Sequence, residues 1–309
     1  MNRRRELDLS GKALTGIPLS WAELASCAAL DLDRNLLSSL PDEVGSLHRL
    51  KSLSLYHNKL ASLPDSLGEL TDLERLNASE NVLDCLPESL GNLQKLRMLD
   101  AGHNRLISLP DSLGRLSRLR FLYLSNNQLT AIPASLAGLK QLLYLNITDN
   151  QLNSFPEVIC SLRNLIELRL YHNQLTGIPD SIGRLVNLRE LHLMSNQLVS
   201  LPAGLGSLKN LRKLDLQDNR LASLPESISG LATLGELNLR NNALVSLPAS
   251  MSKLRRLRFL DLRANHLTSL PAGIADLPKL EKLDLRWNKL ASTPRWLRQL
   301  EDRGCIVYL

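Results

Sequence analysis

Apolar residues recur along the chain in a pattern that repeats every 23 residues. One copy reads L-x-x-L-x-L-x-x-N-x-L-x-x-L-P, and residues 50–64 match it in full. Its x-L-x-L-x segment alternates between apolar and polar positions, which is typical of a short strand with leucines facing a core and the other residues facing solvent. The pattern predicts a stack of short parallel strands, one from each repeat, paired at about 4.8 Å.

Asparagine and proline keep the same spacing. Thirteen of the 14 prolines follow the 23-residue step, and Pro278 alone departs from it. An asparagine side chain both donates to and accepts from backbone groups that a bend leaves unpaired. We therefore expect the asparagines to hydrogen-bond between successive turns as a ladder. The aligned asparagines are Asn35, Asn58, Asn81, Asn104, Asn127, Asn150, Asn173, Asn196, Asn219, Asn242, Asn265 and Asn288.

Small residues recur four and ten residues after each aligned asparagine, where neighbouring turns must approach closely. Cys85 and Cys160 fill two of these positions, and we predict that their thiols are buried or half-buried. The four cysteines are far apart in the sequence, which excludes zinc and redox motifs built from close pairs.

The repeat resembles that of leucine-rich repeat proteins of the 23-residue typical type. It is similar to the intracellular Ras-group family of plants and animals and to its bacterial relatives, and the resemblance covers residues 7–308. It implies an α/β fold: a right-handed leucine-rich-repeat solenoid, or horseshoe, with a continuous parallel β-sheet on the concave face. It also implies roles in intracellular signalling or scaffolding, including contact with small GTPases in some members.

We predict a single leucine-rich repeat domain over residues 1–309. It comprises an N-terminal capping turn (1–26), about twelve 23-residue repeats (27–290) and a C-terminal cap (291–309). In the first turn Lys12 stands where asparagine is expected. Residues 296–300 predict a closing helix, and residues 304–309 predict a final strand that covers the apolar end of the stack.

Composition narrows the class of protein and its location. Leucine accounts for 78 of the 309 residues and aromatic residues for only 4%, so the predicted core is aliphatic. No apolar run approaches the roughly 20 residues of a membrane span, and none follows the basic N-terminus as a signal peptide would require. Secreted members of the family that the chain resembles have caps flanked by cysteines. This chain lacks such caps, so we expect a cytoplasmic protein.

The solvent-facing strand positions, predicted to form the concave face, lie six, four, two and one residues before each aligned asparagine. In the middle turns they carry aromatic, methionine, histidine and arginine side chains, which are typical of protein interfaces. Aromatic residues also suit exposed strands without any partner, but we predict a partner-binding surface because these types concentrate in the middle turns. Its residues are Tyr56, His57, Met98, His103, Phe121, Tyr123, Tyr144, Arg169, Tyr171, His172, His192 and Met194.

A second candidate lies in the last turns, where Arg240, Arg263 and Arg286 form one column. These arginines could bind an acidic peptide or a phosphate. The adjacent column contains Asp215, Asn238, Asp261 and Asp284, so we favour a self-neutralising charge lattice.

Charge and motifs limit the function. The chain has a net charge of +6, but the concave positions hold eight basic and fourteen acidic residues, which argues against nucleic acid on this face. The sequence contains no G-x-x-x-x-G-K-[ST], G-x-S-x-G or H-E-x-x-H. His57 and His103 are two turns apart, near 10 Å, too far to share a metal ion. We expect no catalytic residue, no metal ion and no cofactor.

We therefore predict a monomeric, non-catalytic module that binds a protein partner, with a small GTPase as one partner class that the resemblance implies. Two alternatives remain open. The chain could be the recognition part of an enzyme or effector whose catalytic domain is elsewhere, or a self-associating structural protein.

Overall fold

The computed structural model describes residues 5–309, and residues 1–4 of the predicted capping turn lie outside the described part. The chain forms two compact units, Met1–Gln151 and Leu152–Leu309. Each unit consists of short parallel strands and intervening turns.

From residue 5 onward, the first unit contains seven strands and one short α-helix, α1 (Trp21–Leu24). A 3₁₀ turn lies between successive strands from β2 onward: Asp42–Ser46, Asp65–Glu69, Glu88–Asn92, Asp111–Arg115 and Ala134–Gly138. The strands are β1 (Arg5–Asp8), β2 (Cys27–Asp31), β3 (Ser52–Ser54), β4 (Arg75–Asn77), β5 (Met98–Asp100), β6 (Phe121–Tyr123) and β7 (Tyr144–Asn146).

The second unit has the same plan. Its strands are β8 (Glu167–Arg169), β9 (Glu190–His192), β10 (Lys213–Asp215), β11 (Glu236–Asn238), β12 (Phe259–Asp261), β13 (Lys282–Asp284) and β14 (Ile306–Tyr308). Its 3₁₀ turns are Glu157–Ser161, Asp180–Arg184, Ala203–Ser207, Glu226–Gly230, Ala249–Lys253 and Ala272–Asp276. Helix α2 (Leu297–Asp302) precedes β14, so this end has the helix and the strand that the sequence predicts.

Within each unit the strands pair in parallel. Partner residues are 23 positions apart, except for 22 between Arg5 and Cys27 and 24 between β13 and β14. Leu99 of β5, for example, lies opposite Leu122 of β6. The leucine of every strand from β2 to β13 is at most 2% exposed. The predicted parallel-sheet solenoid and its aliphatic core are therefore confirmed in both units.

The aligned asparagines hold successive turns together. The Asn150 side-chain amide donates to the carbonyl oxygens of Leu124 (2.9 Å), Ile147 (3.3 Å) and Thr148 (2.9 Å), and its Oδ1 accepts from the Leu129 N–H (3.0 Å). Bonding between turns is thus confirmed, with one correction. The partners are backbone groups of the same turn and of the preceding turn, and not neighbouring asparagines. Asn35 accepts in the same way from the Leu14 N–H, and also from the N–H of Lys12, where no asparagine stands.

The residue before each aligned asparagine has left-handed backbone. From Arg34 to Trp287 these residues have φ between 51° and 62°, and Gly11 has φ of 65° in the first turn. None of the twelve from Arg34 onward is a glycine or a β-branched residue. This conformation is unfavourable for residues with a Cβ, so it persists because the asparagine bonds fix the bend.

The 3₁₀ turns form the second layer, where small residues allow close contact. A methyl group at Gly114 would overlap the Ser135 carbonyl oxygen, and one at Gly68 would overlap that of Ser89. Cys160 is buried, as predicted, but the prediction for Cys85 is wrong because its side chain is exposed. The position four residues after the asparagine lies at the surface, where the chain leaves the core before the Leu-Pro step.

Candidate functional site

Four positions of each turn lie on the side of the sheet opposite its leucines, and in each unit they form the surface called here the sheet face. Many of these residues are exposed or half-buried, but Thr148, His192 and Asp284 are buried. For the turn of Asn104 the four positions are Met98, Asp100, Gly102 and His103. The first and second positions belong to the strand, the third follows it, and the fourth has the left-handed backbone.

The second position has a structural role in most turns. Nine turns have Asp or Asn there, and its Oδ1 accepts from the backbone N–H two residues later at 2.9–3.4 Å. This local bond stabilises the chain where the strand ends. The nine residues are Asp8, Asp31, Asn77, Asp100, Asn146, Asp215, Asn238, Asp261 and Asp284.

Three residues of the predicted binding surface depart from this rule. Tyr123, Arg169 and His192 occupy the second position, and none can provide the carboxylate or amide oxygen found in the other turns. The backbone N–H groups of Ser125, Tyr171 and Met194 then have no protein acceptor within residues 5–309. These turns therefore lack the hydrogen bond between the second position and the backbone N–H two residues later. Residues that reduce local stability in this way are typical of functional positions.

In the first unit the structure brings together four of the predicted residues, defined here as the aromatic cluster: Met98, Phe121, Tyr123 and Tyr144. Met98, Phe121 and Tyr144 lie opposite one another on three adjacent strands. The rings of Tyr123 and Tyr144 are 4.9 Å apart and tilted by 39°. Phe121 is 38% exposed, so the cluster presents apolar surface to solvent.

Tyr56 and His57 form a separate group beside Arg34 and Glu80. The His57 Nδ1 is 2.7 Å from Glu80, and this hydrogen bond holds the pKa of Glu80 below its ordinary value. The hydrogen bond between Tyr56 and Glu80 raises the pKa of Tyr56. These four residues, with Asn35 and Leu36, line a shallow depression of about 420 Å³. His103 is exposed and lies 3.4 Å from Asn126.

In the second unit the predicted residues are partly engaged with acidic side chains. Arg169 pairs with Glu167 at 2.5 Å, and His192 lies 3.1 Å from Glu190. Tyr171 contacts His172 edge to face, with ring centres 5.2 Å apart. His192 is only 6% exposed and Met194 is half-buried, so His192 presents little surface to a partner.

Glu167, Glu190 and His192 also form a cluster that the sequence analysis did not identify. Each offers one potential ligand atom, and these atoms lie within 4.8 Å of one another. Glu167 and Glu190 are direct partners across β8 and β9. Arg169 supplies a cationic group beside Glu167, so one of the two carboxylates is already paired with a side chain of the protein.

Most of the arginine column in the last turns is internally paired. Arg263 contacts both Asp261 (2.5 Å) and Asp284 (3.5 Å), and Arg286 contacts Asp284 at 2.7 Å. Burial acts to raise the pKa of Asp284, but the bonds and charges of Arg286 and Arg263 outweigh it and lower that pKa. Arg240 has no ion pair with any described residue. For Arg263 and Arg286 the contacts agree with the charge lattice.

The architecture defines the class of protein. Parallel strands 23 residues apart, with asparagines bonded to the preceding turn, are the features of a leucine-rich repeat protein. Family models described as "Leucine-rich repeat region" match residues 107–217 and 200–302, and models described as "Leucine rich repeat" match residues 26–83 and 48–106. The chain belongs to the leucine-rich repeat family, whose domains generally mediate protein–protein interactions and are typically non-catalytic.

Solved structures support this assignment. The chain is 32% identical to a leucine-rich repeat protein of Leptospira interrogans, over 98% of this chain and 95% of that one, with a TM-score of 0.70. It is 31% identical to the plant peptide hormone receptor RGFR1, solved in complex with RGF2, with a TM-score of 0.75. That match covers 92% of this chain and 52% of the receptor.

An internalin of Listeria monocytogenes shares the fold at 23% identity and a TM-score of 0.84, over 98% of this chain and 86% of the internalin. A search of curated proteins gave no match. In the described part of the chain, no helix has the length and apolar character needed to cross a bilayer.

Proposed function

We propose that this protein is a non-catalytic module of intracellular signalling that binds a protein partner through its sheet face. The observation that carries the proposal is the loss of the local Asp/Asn hydrogen bond at Tyr123, Arg169 and His192. In the first unit this loss coincides with an exposed aromatic cluster. Large aromatic side chains on a rigid surface are the usual anchors of protein interfaces.

Two further observations support the proposal. The receptor RGFR1, which is similar to this chain, was solved in complex with RGF2. A protein with a similar structure therefore binds another molecule. All four cysteines are free, as is usual in a reducing compartment. A surface held by paired strands also loses little conformational entropy on binding.

The test is an affinity capture from native lysate with quantitative mass spectrometry. Wild type is compared with the triple variant Phe121→Ala/Tyr144→Ala/Tyr171→Ala. The matched control, Val186→Ala/Val199→Ala/Val245→Ala, removes three exposed apolar side chains that lie outside the sheet face. Circular dichroism first establishes that all three proteins are folded.

We expect partners that bind wild type and the valine variant but are reduced at least tenfold with the aromatic variant. Equal capture by all three proteins would assign binding to another surface and would contradict the proposal.

A further inference from the structure

The aromatic cluster lies in the basic part of the first unit. Residues 93–148 contain seven basic and two acidic residues, whereas residues 5–92 contain seven basic and fourteen acidic ones. One of the two acids, Asp100, is half-buried, and its Oδ1 accepts from the Gly102 N–H. Basic residues therefore outnumber acidic ones in this segment, and two of them, Arg97 and Arg120, directly precede residues of the cluster.

Three exposed arginines border the cluster. Arg75 lies directly opposite Met98 on the neighbouring strand, while Arg97 and Arg120 immediately precede Met98 and Phe121. Arg75 and Arg120 have no ion pair with a described residue. Arg97 has one long contact, 3.8 Å to Glu74, and Glu74 is also 3.4 Å from Lys51. Charged groups of a partner can reach all three guanidinium groups without first breaking a close ion pair.

We propose that this part of the sheet face binds an extended acidic peptide segment that carries one large apolar side chain, an inference that rests on the function proposed above. The apolar side chain packs on Met98, Phe121 and Tyr144, a row that spans two strand spacings, or about 10 Å. Carboxylates on either side of this anchor pair with Arg75 and Arg120.

Single-stranded nucleic acid also combines negative charge with groups that stack on aromatic rings. The structure favours a peptide, because Tyr123 and Tyr144 pack against each other at a tilt and do not present parallel open faces.

The test is a selection from a displayed library of random 12-residue peptides, made in parallel on three full-length proteins. These are wild type, the sheet-face variant Arg75→Glu/Arg120→Glu, and the control Arg115→Glu/Arg184→Glu. The control makes the same change in net charge within two 3₁₀ turns of the other layer. Peptides enriched on wild type are then synthesised, and their affinities are measured by fluorescence anisotropy at 50 and 500 mM salt.

We expect wild type and the control to enrich acidic peptides with an aromatic or large aliphatic residue. The sheet-face variant should bind those peptides at least tenfold more weakly and should enrich basic peptides instead. High salt should weaken binding to wild type, because the arginine contacts are screened. Enrichment of neutral or basic peptides on wild type, or no enrichment, would overturn the proposal, as would tighter binding of a dT12 oligonucleotide than of the best peptide.

Phe121→Ala/Tyr144→Ala separates this inference from the function on which it rests. If wild type selects neutral or basic peptides that this variant no longer binds, the sheet face is still the binding surface and only the acidic partner is wrong. If no change to an aromatic or arginine residue affects the selected peptides, both proposals fail.

Discussion

At the scale of single residues, the aligned asparagine carries information that a leucine count does not. Its side chain completes the hydrogen bonding of its own bend and of the preceding turn at once. Asn150 is 7% exposed, so no solvent replaces these bonds if the side chain is changed. The same geometry forces the preceding residue into left-handed backbone.

Asn150→Leu removes a buried donor and acceptor and leaves backbone groups of Leu124 and Leu129 unpaired. We expect a loss of about 1–3 kcal/mol in the free energy of unfolding, measured by urea denaturation. Asn153→Leu is the matched control, because Asn153 is exposed and Val199 and Val245 occupy equivalent positions. Equal stability of Asn150→Leu and wild type would refute the bonding role.

Ala264 has φ of 52° and tests the left-handed position with the smallest side chain. Ala264→Gly should raise the free energy of unfolding by up to about 1 kcal/mol, because glycine adopts this backbone without a steric penalty. Ala264→Val should lower it, since a β-branched side chain fits this region poorly. Thermal denaturation of both variants and wild type ranks their stabilities. A valine variant more stable than the glycine variant would contradict the steric explanation.

The ionisation of Asp100 should make the stability of the protein depend on pH. Burial raises its pKa, and the hydrogen bond from the Gly102 N–H offsets this only in part. The folded protein therefore binds this proton more tightly than the unfolded chain does. The contribution of Asp100 to stability is fully present below the ordinary Asp pKa of about 3.9 and is lost as the pH rises through the raised folded pKa.

Asn77 and Asn146 fill the same position with an amide and keep the hydrogen bond. We therefore expect Asp100→Asn to raise Tm at pH 7 and to have little effect at pH 3, as measured by calorimetry. Asp111→Asn, at an exposed acid of the adjacent 3₁₀ turn, serves as the control. A gain of the same size at both pH values would show that removal of the charge is not the cause.

At the scale of elements, no strand or 3₁₀ turn of this chain is stable by itself. Most strands have three residues, and most 3₁₀ turns have five. Each is held by leucines packed beneath it and by the equivalent element of the next turn. Spacing in the second layer therefore matters as much as strand pairing in the sheet.

Gly114→Ala tests that spacing, because the added methyl group would overlap the Ser135 carbonyl oxygen. We expect the free energy of unfolding to fall by about 1–3 kcal/mol in urea denaturation. Gly177→Ala should be neutral or slightly stabilising, since no atom lies within 4 Å of the added group. Similar effects of the two substitutions would mean that the second layer adapts to the extra volume.

At the scale of the whole molecule, stability is a sum over neighbouring turns, so the ends need protection. Helix α2 and strand β14 cover the last turn of the second unit. Leu300 of α2 is fully buried, whereas Leu309 is 60% exposed. The end of the stack is therefore covered by the buried side chains of Leu297, Leu300 and Cys305.

Leu300→Ala should cost about 2–4 kcal/mol locally, because it leaves a cavity beneath the helix. We expect amide hydrogen exchange to rise first in β14 and β13, and later in β12, while β9 and β10 stay protected. Leu309→Ala is the control and should leave exchange in all these strands unchanged. A uniform rise across the second unit would instead indicate that its turns unfold as one block.

The sequence by itself determined the repeat length, the parallel pairing of leucine-bearing strands and the position of every turn. These features could be read from the sequence because each depends on residues within a single repeat. The same residue pattern recurs every 23 residues from Asn35 to Asn288. The closing helix and final strand were also predictable, since they break the pattern with residues of their own.

Only the tertiary structure decided which side chains of the sheet face meet. The contact of Tyr123 with Tyr144, the burial of His192 and the exposure of Cys85 all depend on how adjacent turns pack. The structure also separated the Asp and Asn residues that cap strand ends from Tyr123, Arg169 and His192, which do not. A residue's spacing in the repeat fixes its place on the surface, but its partners lie 23 residues away in sequence. Their side-chain conformations are set by packing between turns, which a one-dimensional pattern does not contain.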